Sequence, residues 1–247
     1  MKPTLHALAW LALLAASSPA QSITYSQPVG ADTFVSSGAP NANFGTQGAM
    51  EIAAPTAAQP RTLLTLLRFD TADLPASFDA DFGAGNWMVT SVTLSLFSSV
   101  AIAGQQPNNG NFNRIAAGGF EFDLLGNSDW SEEGITWNTL GGILPGNHNA
   151  NSLTPLGSFF WSANGQAGST WTLHLDLNLV QKISSGERVT LLGQPLAGSG
   201  VGYLFNTRNL NPGLLNVTVQ AAPEPAVLTL LAGSLCVLGG SRFFKRK

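Results

Sequence analysis

The chain has 247 residues, 44% of them apolar and only 10% charged, with 27 Gly, 14 Pro, a single Cys and a net charge of −3. That length holds one sandwich-sized domain with short appendages. A charged fraction well below the usual ~25% argues against a helix-rich cytosolic enzyme and leaves Ser, Thr, Asn and Gly to supply the polar surface.

In chain order, the first element is Lys2, an apolar run over 5–16 and Ser18-Pro19-Ala20 before Gln21. Basic start, apolar middle and small-residue exit predict a secretory signal peptide over 1–20, a substrate of signal peptidase. From Ile23 to Gln220 period-two alternation recurs between Gly, Asn and Pro clusters, which predicts an all-β body over 21–222. Expected strands lie at 33–36, 49–53, 62–69, 89–97, 120–125, 134–137, 158–161, 171–178, 188–192, 201–206 and 214–220. The clearest alternations set Val92, Leu94 and Leu96 on one face, and Trp171, Leu173, Leu175 and Leu177 on another. Short strands at such intervals make an antiparallel β-sandwich of jelly-roll kind. One short helix is expected over 179–184, capped by Asn178 and left near Gly186. The long amide-rich loops 105–113 and 141–151 are where a rigid sandwich would carry binding chemistry.

The chain closes on Pro223-Glu224-Pro225, an uncharged apolar stretch over 226–240, and Arg242 with Lys245-Arg246-Lys247. An apolar helix ending in basic residues sits in a bilayer with its charges on the cytoplasmic side, but this one is shorter than the ~20 residues of a full span. Its three-part order resembles the PEP-CTERM sorting signal of Gram-negative bacteria. The resemblance implies recognition by an exosortase, transient anchoring in the inner membrane, and delivery over 223–247 to the cell surface, outer envelope or extracellular matrix. A permanent single-pass anchor is the plainer alternative. Cys236 lies in this tail, so the exported body has no thiol and no disulfide. Between the two signals six basic residues stand against thirteen acidic ones, a net of −7, which makes nucleic acid a poor partner.

Several segments resemble, in order, the secreted β-domains called DNRLRE domains, some of which are classed as carbohydrate-binding modules. They are the opening stretch 31–45, Leu67-Arg68-Phe69-Asp70 with Leu74-Pro75, the strand 89–97, the paired-Trp segment 130–138, the helix at 177–183, and Phe205-Asn206-Thr207-Arg208 with the hairpin at 212–218. The stretches 78–86 and 105–113 depart from that pattern as insertions. The resemblance implies a jelly-roll module that in some members binds acidic extracellular polysaccharide and in others is structural.

Candidate ligand contacts follow from residue type. Trp87 and Trp161 border Gly or Asn loops and can offer aromatic platforms to sugar rings, whereas Trp130 and Trp137 frame Ile135 and read more readily as core. Arg114 and Arg208 stand beside Asn-rich segments, free to meet anionic groups. Arg68 either grips a ligand carboxylate or forms an internal salt bridge to Asp70 or a neighbouring carboxylate. Asp32, Asn41 and Asn43 offer hard oxygens to a structural Ca²⁺, the one ion suggested; the same residues also serve turns. No other cofactor is expected. His174 and Asp176 are close in sequence, but no nucleophile or orienting group accompanies them, and only His148 remains as a further histidine in the body, too few for a zinc triad. Glu132 and Glu133 point to opposite faces of an extended chain. The expectation is therefore a secreted, non-catalytic, polysaccharide-associated surface protein. A small polysaccharide lyase or hydrolase, or a self-associating adhesion protein, is the alternative.

Overall fold

The computed structural model describes residues 21–97, 116–142, 153–163 and 168–223. The signal peptide, Arg114, His148, and the sorting tail from Glu224 and Pro225 onward fall outside these residues; Pro223 is exposed at their end. Among the described residues the elements run β1 (Ser22–Ser36), β2 (Ala49–Ala53), β3 (Leu63–Phe69), α1 (Leu74–Phe82), β4 (Trp87–Leu96), β5 (Gly118–Leu125), α2 (Trp137–Leu140), β6 (Thr154–Trp161), β7 (Ser169–Leu173), α3 (Leu177–Ser184), β8 (Val189–Pro195), β9 (Gly202–Asn206) and β10 (Leu214–Ala221).

The fold is all-β and antiparallel, as the alternation predicts. Its strands are hydrogen-bonded in the order β6-β5-β8-β3-β1-β10-β4-β7, with β2 joining β3 to β9. The two layers of the expected sandwich are joined into one continuous curled sheet, and the length of β1 is the reason. Residues 22–28 of β1 pair with β10, and residues 29–36 pair with β3, with a register shift between Val29 and Ala31. A single strand thus belongs to both halves, and the irregularity increases local twist. Past the end of β7, the His174 N–H donates to the Leu156 carbonyl of β6 at 2.6 Å. The two ends of the path meet there, so the sheet is nearly closed into a barrel.

The interior is filled from alternating positions. Val92, Leu94 and Leu96 are fully buried, on the face that the pattern assigns to them. Strand β3 is buried on both sides: Leu63, Leu67 and Phe69 enter the main core, while Leu64 and Leu66 enter a second, smaller one. That second core lies on the outer face of the sheet, beneath Trp130, Ile135 and Leu140. The expected strand at 134–137 is instead part of this cover. Thr136 caps α2, accepting from the Thr139 N–H, while the Thr139 hydroxyl accepts from the Thr136 N–H.

The helices correct three further expectations. Strand β7 stops at Leu173, and Leu177 is 82% exposed where alternation would bury it. Asp176, not Asn178, caps α3; its carboxylate accepts from the N–H groups of Asn178 and Leu179, and this local bond ends the strand pattern. The segment 74–82, expected as a turn and an insertion, forms α1, with Pro75 in its first turn and Leu74 and Phe78 buried one turn apart.

Candidate functional site

The structure brings several of the sequence candidates to one end of the barrel, where three loops meet around Glu132. The loop after β1 supplies Asn43, whose amide donates to the carbonyls of Glu132 (2.8 Å) and Ile135 (2.7 Å) while its own oxygen accepts from the Gly45 N–H (3.1 Å). A Cβ at Gly45 would stand 2.2 Å from the Glu132 carbonyl oxygen, so only glycine permits this approach. The turn after β9 supplies Arg208. Its Nε donates to both carboxylate oxygens of Glu132, at 3.2 and 3.0 Å, and its backbone N–H donates to Asp32 Oδ2 at 2.6 Å. Asn41 accepts from the Asn138 amide at 2.8 Å.

Asp32 is 2% exposed. Burial pushes its carboxyl up to about 7; the Glu132 charge adds to this, and the hydrogen bond and charge of Arg208 oppose it. Asp32, Asn41 and Asn43 therefore each have a side-chain oxygen engaged by a protein donor, which fits turn and loop fastening. Arg208 is likewise engaged by Glu132. Arg68 donates to the Trp130 carbonyl and lies over the Trp130 ring, 4.9 Å from its centroid. Its direct partner is thus Trp130, in place of an ion pair with Asp70 or a neighbouring carboxylate, while the charges of Glu132, Asp70 and Asp129 act on it from further off.

The tryptophans divide differently from expectation. Trp161 is 2% exposed and stacks on Tyr203 with ring centroids 4.4 Å apart. It is a core ring, because β6 turns it inward, and it is no platform. Trp87 is half-buried, edge-on to Phe78 at 4.9 Å, and its indole N–H donates to Asp79 of α1 at 2.7 Å. Trp130 donates to the Thr190 hydroxyl at 3.1 Å and, with Trp137, packs on the second core. Asp176 is spent as a helix cap beside His174, and the His174 backbone closes the sheet.

A second polar group escaped the reading of the sequence. Glu121 and Asp123 alternate with the buried Phe120 and Phe122 on β5, and the Gln194 amide of β8 donates to both carboxylates, at 3.0 and 2.7 Å. Burial, and next the Glu121 charge, push the Asp123 carboxyl up to about 6. The F-E-F-D alternation was legible as in-and-out, but only the register of β5 against β8 reveals Gln194 as the bridge.

Residues 23–144 match the model of carbohydrate-binding module family 96. The match runs from β1 through α2 and includes the Asp32, Asn43 and Glu132 junction. The chain thus carries a carbohydrate-binding-module-like domain, in keeping with polysaccharide association. No curated protein matches the chain.

Proposed function

We propose that this chain is an exported, non-catalytic carbohydrate-binding protein of a bacterial surface or extracellular matrix, delivered by its N-terminal leader and its Pro223-Glu224-Pro225 tail. The match to a carbohydrate-binding module over 23–144 is the observation that carries the reading. The thiol-free, acidic body and the signal-like ends support an extracytoplasmic location. The placement of Asp176 as a cap, and the pairing of Glu132 with Arg208, support a binding role over hydrolysis, because neither carboxylate is free to act on a substrate.

Affinity electrophoresis of the full chain through gels containing soluble polysaccharides, with and without EDTA, tests binding. Retardation by at least one glycan is expected, and unretarded migration in every gel would refute it. Release of reducing ends or unsaturated product from the same glycans would overturn the non-catalytic half. Intact mass of the protein recovered from its host tests the sorting half, with loss of both ends expected and an uncut C-terminus contradicting it.

A further inference from the structure

The outer face of β6, β5 and β8 combines features that the loop junction lacks. In the register of these strands Gly119 stands opposite Phe160, and Glu121 stands opposite both Ser158 and Gln194. Opposed residues in an antiparallel pair share a face, so Phe160, Ser158, Glu121 and Gln194 all point away from the barrel interior. The neighbouring Phe159 and Trp161 point inward, against Phe120 and Tyr203. Phe160 is 63% exposed, and the glycine opposite has no side chain to cover its ring. Beyond Gln194 the face continues into a cleft of about 510 Å³ whose lining includes Thr62, Leu64, Leu196 and Ser199. From β6 to β3 the strip crosses three strand spacings, about 14 Å.

We propose that this strip, from Phe160 across Glu121 and Gln194 into the cleft, is a glycan platform that takes a neutral, hydroxyl-rich polysaccharide. The proposal rests on the carbohydrate-binding reading above and gives it a site and a ligand class. An exposed aromatic ring matches the C–H face of a pyranose. The half-buried Glu121 carboxylate beside it is a pure acceptor, suited to sugar hydroxyl donors, and the Gln194 amide, which also donates to the buried Asp123, holds it in place before a ligand arrives, which limits the ordering cost of binding. The Gln194 carbonyl oxygen adds a further acceptor. The cleft falls within the size range of ligand sites.

Charge decides the class of glycan. The named residues of the strip include one carboxylate, Glu121, and no Lys or Arg, so a uronate chain would meet like charge as it desolvated. Of the arginines considered for an acidic ligand, Arg68 and Arg208 are turned to Trp130 and Glu132, and Arg114 lies outside the described residues. The DNRLRE resemblance implies an acidic polysaccharide for some members; the geometry of this face favours a neutral one.

The test is affinity electrophoresis of the full chain in gels containing a soluble neutral β-glucan, a neutral mannan or alginate, with the variants Phe160→Ala and Glu121→Ala. Retardation by a neutral polysaccharide is expected, weakened about tenfold or more in each variant, with unfolding midpoints close to the parent because Phe160 is exposed and Glu121 is only half-buried. Neutral-glycan binding that both variants retain would overturn this site while leaving carbohydrate binding intact. Retardation by alginate alone would overturn the ligand class. Passage unretarded through every gel would remove the carbohydrate-binding reading and this proposal together.

Discussion

Replacing Asp32 by Asn isolates the energetics of the loop junction. In the folded chain burial raises the Asp32 carboxyl from 3.8 to about 7, so the native state holds this proton more tightly than the unfolded chain does. Its contribution to stability is therefore fully present below about pH 4 and is lost as pH rises toward 7. Each tenfold shift in an ionisation equilibrium is worth about 1.4 kcal/mol, so the ionised carboxylate costs up to about 4 kcal/mol above pH 7. Asn keeps an oxygen that can accept from the Arg208 N–H, which Asp32 now does at 2.6 Å, and it does not ionise. Urea denaturation followed by tryptophan fluorescence at pH 4, 6 and 8 should show the variant nearly equal to the parent at pH 4 and more stable by a few kcal/mol at pH 8. The raised Asp123 carboxyl contributes a slope of the same sign to both proteins and cancels in the difference. Parallel pH profiles, or a variant that is the weaker protein at pH 8, would refute the reasoning.

Other substitutions test the packing that positions the two polar surfaces. Gly45→Ala drives a methyl against the Glu132 carbonyl and should lower stability by roughly 1–3 kcal/mol, seen as a lower unfolding midpoint. Trp161→Ala removes a fully enclosed ring and should cost about 3–5 kcal/mol in urea denaturation, whereas a true surface platform would cost almost nothing. Asp176→Ala removes the two hydrogen bonds that start α3 and should cost about 1 kcal/mol by the same measurement, while Asn178→Ala leaves stability within about 0.5 kcal/mol.

The body was most legible where one face of a strand meets the core and the other meets water. In β4 the alternation of Val92, Leu94 and Leu96 was sufficient to place the side chains from Val92 onward, while the register shift at Ser91 breaks it upstream and buries Val89 as well. The same pattern misled at Trp171 to Asn178, because an aspartate that can cap a helix also satisfies a polar position of a strand. The backbone bonds of Asp176 decide between the two. Strand β3 gave no face at all from sequence, since cores lie on both of its sides. A strand at 134–137 is what the local pattern offers, and the tryptophans framing Ile135 do point to a core as expected, but the segment carrying them is a cover over the second core rather than a strand.

The candidate site divides in the same way. Asp32, Asn43 and Arg208 were legible as polar residues in loops, and the structure gathers them at Glu132. Their partners, however, are other parts of the chain, which no local pattern reveals. Phe159, Phe160 and Trp161 are three aromatic residues in a row, and only pairing with β5 shows that the middle one faces out. The Gln194 bridge joins residues more than seventy positions apart and exists only once the sheet has formed.

Depletion of the full chain from solution by a panel of insoluble neutral and acidic polysaccharides is the most direct test of the central claim, that this barrel is a carbohydrate-binding body. Saturable depletion by a neutral member, competed by its soluble oligosaccharides, is expected. Equal protein in solution with and without every member of the panel would contradict it.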